Sequence, residues 1–289
     1  MRSLLAALLL ALATPGLAQS PYAERADVKT FISGLVARHG FVESELNALF
    51  SRVYRVDPVL QAIAAPAEIA RWTDYRPIFV NPRRISGGLA FWTAQEALLA
   101  RAEREFGVPA EIVVAIIGVE TFYGRIPGRW RVVEALATLA FDYPPRAGFF
   151  RGELENYLLL ARDSGLDVFA VRGSYAGAIG IPQFMPGSLR RYAVDFDGDG
   201  AIDLSRNNAD AIGSVANYLK QHGWRTGEAV QRRQGSPDEA AGEKTIDLGT
   251  ERRVGLANFQ VLMRYNRSPL YAAAVADLAE ALRAQRAGR

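Results

Sequence analysis

Cysteine is absent from all 289 residues, and histidine occurs only at His39 and His222. Without cysteine there is no disulfide, no thiolate nucleophile and no lipid carried on an N-terminal cysteine. Two histidines, each beside a glycine near the end of an expected helix, are too few for a zinc site and poorly placed as catalytic bases. Arginine far outnumbers lysine, but the net charge is only +3 and no dense basic run is present, so nucleic acid is not an expected partner. A phosphate-cradling GxxxxGK[ST] loop and a dinucleotide fingerprint are also missing, which removes support for nucleotide chemistry. Beyond the first residues, no apolar run reaches the length of a membrane-spanning helix. By elimination, catalysis falls to carboxylates.

Residues 1–18 read as a secretory signal peptide. Arg2 supplies a positive start, Leu4 to Ala13 an apolar stretch, and Gly16 to Ala18 a small-residue cleavage site. The part expected to fold is 19–289, and a chain that is 49% hydrophobic and 22% charged can build a sizeable core. A soluble, monomeric protein of the bacterial periplasm is the expectation.

Apolar spacing predicts a mainly α fold. Val28, Phe31, Ile32, Leu35 and Val36 share a helical face within 22–64, and Ser44 to Phe50 suggests a further short helix. The aromatic, Pro/Gly-rich stretch Trp72–Gly88 reads as a surface loop, followed by one long amphipathic helix from Gly88 to Phe106. Two helices are expected in 130–163, split by a turn at Phe141–Pro145, then a glycine-rich loop from Arg172 to Pro186. Helix resumes near Leu189, again from Ala209 to His222, and last from about Pro269 to Ala287. The polar region 225–253 has few apolar anchors and reads as a long insert, a small irregular β patch or a disordered segment.

Glu120 stands out against this background. Residues 112–119 carry no charge, Pro109 suits the first turn of a helix, and Gly124 suits its C-terminal cap. A helix apolar on nearly every face is buried. A carboxylate at its C-terminal end is desolvated and faces the negative end of the helix dipole, so its protonated form is favoured. Two readings stay open: a general acid, or a structural carboxylate paired with Arg125 or Arg129.

A second signal is the run from Asp195 to Asp203. Asp195, Asp197, Asp199 and Asp203 fall at relative positions 1, 3, 5 and 9, with Gly200 at 6, as in the first half of an EF-hand loop. Ala201 offers a carbonyl, Arg206 replaces the usual closing glutamate, and Asp210 could close a longer loop. The other reading is an Asp/Gly-rich surface turn without metal. A third signal is the mixture of aromatics with Asn, Gln and Ser in 173–186 and 258–271, side chains suited to stacking on sugars and bonding their hydroxyl and acetamido groups. A glycine-rich turn beside a buried aromatic cluster would look the same.

Together these blocks resemble the soluble and membrane-bound lytic murein transglycosylase B family. The matching stretches are Gly118–Gly124, Phe141–Pro144, Gly173–Gly180, Pro182–Pro186, Tyr192–Gly200, Asp210–Tyr218 and Arg264–Ser268, within a likeness running from about 22 to 286. The resemblance implies a lysozyme-like helical catalytic core with an N-terminal helical part and a small irregular or β insert. It implies that Glu120 is the sole catalytic acid/base, a carbon–oxygen lyase cutting the MurNAc-β-1,4-GlcNAc bond of peptidoglycan to leave 1,6-anhydromuramic acid ends. Substrate contacts would fall on Tyr75, Arg146, Ser174, Gln183, Tyr218, Tyr265, Asn266 and Tyr271, with Ser174 and Asn266 orienting the C6 hydroxyl or the acetamido group. The metal loop, 195–210, would hold a structural calcium ion through Asp195, Asp197, Asp199, Ala201 and Asp210, with no cofactor for the chemistry. Its partners would be peptidoglycan glycan strands, with cell-wall synthases as candidates. Pro145 stands where some members have a second arginine, and the polar subdomain at about 225–253 is reduced. The competing readings are a muramidase that hydrolyses the same bond with water, and a murein-binding scaffold without turnover.

Overall fold

The computed structural model describes residues 20–65, 71–233 and 244–288. The leader-like stretch 1–18 lies outside them. The chain divides into two compact units, one ending at Arg55 and the other beginning at Val56.

The first unit holds a 3-10 turn at Tyr22–Glu24, α1 (Ala26–His39) and α2 (Glu43–Phe50). Val28, Ile32 and Leu35 of α1 recur at helical spacing and are buried, as are Leu46 and Phe50 of α2. Phe31 meets Phe50 edge-to-face at 6.2 Å.

The second unit is a helical assembly with little sheet. In order it contains α3 (Asp57–Ala64), α4 (Trp72–Phe79), α5 (Pro82–Ala94), α6 (Glu96–Phe106), α7 (Ala110–Thr121), β1 (Trp130–Arg131), α8 (Val132–Asp142) and α9 (Ala147–Asp163). Then follow β2 (Arg172–Gly173), α10 (Pro186–Tyr192), α11 (Asn208–Gln221), β3 (Gln231–Arg233), β4 (Lys244–Asp247), β5 (Arg252–Gly255), α12 (Ala257–Tyr265) and α13 (Pro269–Ala287). Within the polar region the described residues form a β patch: β5 lies between β3 and β4, both antiparallel to it. Val254 of β5 is fully buried and Ile246 of β4 nearly so, which anchors the patch. Among the described residues no helix is long and apolar enough to cross a membrane.

Two expectations fail between Trp72 and Phe106. The stretch read as a loop is α4 and most of α5, and the single long helix is two helices meeting at Gln95. Pro82 occupies the first turn of α5, where no amide partner is needed, and the Asn81 side chain caps it by accepting from the Arg84 amide at 2.9 Å. The glycines mark close packing rather than a turn. A Cβ on Gly88 would stand 2.5 Å from the Tyr123 hydroxyl and 2.6 Å from Leu282 Cδ2. Proline and glycine here serve a helix start and a tight interface, and composition alone reads both as loop.

That crowding makes Gly88→Ala destabilising by about 1–3 kcal/mol through overpacking. Gly152→Ala, at an exposed helical position with nothing within 4 Å of the added Cβ, should instead be neutral or slightly stabilising. Urea melts of the two variants check the contrast.

Candidate active site and acidic loop

Ile112 through Val119 of α7 are all buried, and α13, α5, α6 and α11 pack around the helix. An all-apolar helix can only be stable inside protein, and its last turn therefore delivers Glu120 to the edge of a packed core. The helix ends at Thr121, short of Gly124. Phe122 and Tyr123 both enter the left-handed region, at φ 52° and 62°, before Gly124 does so at 80°. Two successive non-glycine residues there store roughly 1–3 kcal/mol each.

Several bonds hold this turn. Tyr123 Oη donates to the Arg84 carbonyl at 2.8 Å, and the Arg84 guanidinium donates to the Gly118 carbonyl at the frayed end of α7. Thr121 Oγ1 donates to the Ile181 carbonyl at 2.8 Å and accepts from the Gly124 amide at 2.9 Å. The latter pair pins the helix end to the glycine-rich loop. Neither Thr121 nor Arg84 is among the residues the sequence singles out; only the position of Thr121 beside Glu120 hints at a role.

Among the described residues the Glu120 side chain has one hydrogen bond: Tyr271 Oη donates to Oε1 at 2.6 Å. The paired-carboxylate reading has no support. Arg125 lies over the Phe122 ring at 5.1 Å and Arg129 over Trp130 at 4.8 Å. Burial pushes the Glu120 carboxyl up to about 7, and the Tyr271 hydrogen bond, which favours the ionised form, pulls partly against it. Residue 120 as a whole keeps intermediate exposure, although protein crowds its carboxyl.

The surrounding wall is aromatic. The Tyr265 and Tyr271 rings stack nearly parallel at 6.4 Å, and Tyr265 also meets Tyr218 at 4.9 Å and Phe184 at 5.8 Å. Tyr265 Oη donates to the Pro182 carbonyl at 2.7 Å, and Tyr218 Oη to the Arg264 carbonyl at 2.8 Å. Burial and then the Glu120 charge raise the hydroxyl pKa of Tyr75 to about 12, and those of Tyr265 and Tyr271 well above the usual phenol value. The structure therefore gathers Tyr75, Tyr265 and Tyr271 around Glu120, with Tyr218 one ring further out.

The remaining expected contacts sit differently. Gln183 takes φ 52° and donates through Nε2 to the Pro127 and Gly180 carbonyls at 3.0 and 2.8 Å, so it shapes the loop. Ser174 Oγ accepts from the amides of Ala176 and Ala178 at 3.2 and 3.0 Å. Asn266 caps the end of α12 and is exposed. Arg146 is exposed, with its guanidinium 4.4 Å from the Phe149 ring centroid.

In the acidic loop, carboxylate oxygens of Asp195, Asp197 and Asp210 lie within 4.8 Å of one another. Asp195 accepts from the amides of Gly198 and Gly200 at 2.7 and 2.8 Å, and Asp210 from those of Phe196 and Asp203, each at 2.8 Å. Asp199 is turned to the Ala201 amide at 2.8 Å and is not one of the three. Burial raises the Asp210 pKa, and the nearby charges of Asp197 and Asp195 add to it. A convergence of hard oxygen donors with mutual repulsion is what a calcium-sized cation relieves.

The site generates a stability prediction with a definite sign. The native pKa of Glu120, about 7, exceeds its ordinary 4.5, so the native state binds this proton more tightly than the unfolded chain. Its contribution is full at low pH and is lost as pH rises through 7. Glu120→Gln should therefore be more stable than the parent at pH 8, by up to about 3 kcal/mol, and equal to it near pH 4. Thermal melts at the two pH values decide; an equal gain at both would show that titration is not the cause.

The family model for the transglycosylase SLT domain matches residues 23–254 and 230–280. Membrane-bound lytic murein transglycosylase B of Escherichia coli (strain K12) is 40% identical over 303 residues, covering 90% of this chain and 84% of the relative. The crystal structure of soluble lytic transglycosylase SltB1 from Pseudomonas aeruginosa superposes with TM-score 0.83 at 47% identity, over 90% of this chain and 99% of that one. The Escherichia coli lytic transglycosylase Slt35 in complex with calcium gives TM-score 0.83 at 39% identity, over 93% and 97% of the two chains. By sequence and by fold, this chain belongs to the SLT-domain lytic murein transglycosylases of the B type.

Proposed function

We propose that this lytic murein transglycosylase uses Glu120 alone for both proton transfers of a non-hydrolytic cleavage. The observation that carries the reading is a single carboxyl, poised near 7 by burial, with one oxygen bound by Tyr271 and no hydrogen bond to the other among the described residues. In the protonated form, Glu120 donates to the glycosidic oxygen between N-acetylmuramic acid and N-acetylglucosamine, and the C1–O bond breaks. As the carboxylate, it accepts the proton of the muramyl C6 hydroxyl while O6 bonds to C1. The products are a free 4-hydroxyl and a 1,6-anhydro ring; no water is consumed and Glu120 ends protonated.

A pKa near the working pH lets one group serve as acid and then base. Tyr271 favours the charged form, so it lowers the cost of the intermediate state while leaving Oε2 for substrate. The parallel rings of Tyr265 and Tyr271 offer sugar-stacking surface, and Tyr75 completes the wall. On this reading Ser174, Gln183, Tyr218, Asn266 and Arg146 line the path of the glycan strand. Paired-acid glycosidases need a second carboxylate, whereas intramolecular attack by the substrate's own hydroxyl does not. Murein lies outside the cytoplasmic membrane, so the reading carries a periplasmic location, and the leader-like sequence of residues 1–18 supports it.

Glu120→Gln should lose at least about 10²-fold in turnover while still sedimenting with murein. Mass spectrometry of wild-type digests should find anhydromuramic ends; products heavier by one water would identify a hydrolase instead.

For the acidic loop we propose calcium as the resident ion, held by Asp195, Asp197 and Asp210 with help from Asp199 and the Ala201 carbonyl. The converging carboxylates and the calcium complex of Escherichia coli Slt35 support this. The ion would brace the turn that leads into α11, which carries Tyr218. At 100 times its dissociation constant calcium should add about 2.7 kcal/mol of stability, raising the melting temperature by several degrees over chelator. Asp197→Asn should shrink that difference.

A further inference from the structure

Arg84 is half-buried, and among the described residues no ion pair includes it, whereas Arg76, Arg101, Arg131 and Arg253 are all paired. Its Nε has no hydrogen bond, and burial lowers the pKa of the guanidinium. The one bond its side chain makes is to the Gly118 carbonyl, which already accepts from the Phe122 amide at 3.1 Å. That carbonyl has a partner without Arg84. For stability alone an apolar side chain of similar length would serve as well or better, since an unpaired charge away from water is costly.

What the guanidinium does is bridge two rings. It stands 5.1 Å from the Phe79 centroid and 5.0 Å from that of Phe122. Phe79 packs on Tyr75, one turn earlier on α4, with ring centroids 5.1 Å apart, and Phe122 follows Glu120 by two residues. Arg84, on α5, therefore connects the tyrosine wall on α4 to the end of α7 that carries the acid. Helix α4 needs such a tie. It has only eight residues with Pro77 among them, and Arg76 on Asp277 at 2.6 Å and Trp72 against Arg253 fasten it to α13 and β5.

We propose that Arg84 is a positioning residue that keeps Tyr75 in register with Glu120, so that a sugar stacked on Tyr75 presents its glycosidic oxygen to the acid. The inference rests on the transglycosylase reading above, in which Tyr75 touches substrate. Binding energy gathered at the wall then goes into orientation at the reacting bond, and loss of Arg84 falls on kcat rather than KM.

The test is Arg84→Met, assayed on soluble glycan strands well below the melting temperature. It should melt at or above the parent temperature, while kcat falls between about tenfold and 10²-fold and KM holds. Phe79→Leu, a milder break in the same chain of contacts, should show the same split. Tyr75→Ala lowers turnover by itself, and adding Arg84→Met to it should cost no more than about a further twofold. Combined with Tyr218→Phe, which lies outside the chain of contacts, the two losses should multiply. Unchanged kcat in Arg84→Met, a loss that multiplies with that of Tyr75→Ala, or a raised KM with kcat intact would each overturn the proposal. Anhydro or hydrated ends in the wild-type digest test the lyase reading separately, and Tyr75→Ala alone tests whether that ring touches substrate.

Discussion

The site depends on the need to bury a helix that has no polar face. Every side chain from Ile112 to Val119 is sequestered, so α7 must run through the second unit with other helices on all sides. A carboxyl appended to such a helix inherits its dry surroundings. The elevated pKa of Glu120 follows from that location, with burial as the first cause, and no neighbouring charge is needed to produce it.

Burial alone would leave the carboxyl free to turn, and the supporting contacts restrict it. Tyr271, fixed in the first turn of α13 where Ser268 caps the helix, reaches across to Oε1. Thr121 ties the end of α7 to the glycine-rich loop, and Arg84 ties it to α5. The left-handed residues 122 and 123 are the local cost of ending the helix abruptly. They are held because Tyr123 fills the space that Gly87, Gly88 and Gly118 leave vacant: a Cβ at any of the three would come within 3.1 Å of its ring or hydroxyl. Three glycines and one tyrosine form a single packing unit, and the candidate acid sits in its lee.

The fold's strongly periodic parts were legible in the sequence. The span expected for the last helix coincides with α13, and α7 and α11 fall close to expectation, because long apolar repeats with Pro or Asn at the start specify helices locally. The failures share a cause. In Trp72–Gly88, prolines and glycines serve a helix start and a crowded interface, and only the partners Tyr123 and Leu282 reveal it. Region 225–253 allows three readings from sequence because its strands are short, and its described strands are anchored by Val254 and Ile246 packing inward, which no local pattern announces.

For the site, the sequence by itself marked Glu120 as a lone carboxyl on an apolar helix and showed that aspartates would crowd one loop. Residue type and spacing suffice for such statements, because desolvation on an apolar helix and repulsion among near neighbours are local consequences. It left two readings of Glu120 standing, ion pair or acid. Only the tertiary structure bears on the ion pair, by bringing Tyr271 to Glu120 across 151 positions of sequence while leaving Arg125 and Arg129 on aromatic rings. Contacts between residues so far apart depend on how α7, α12 and α13 pack, and packing is settled by the shapes of all the buried side chains together.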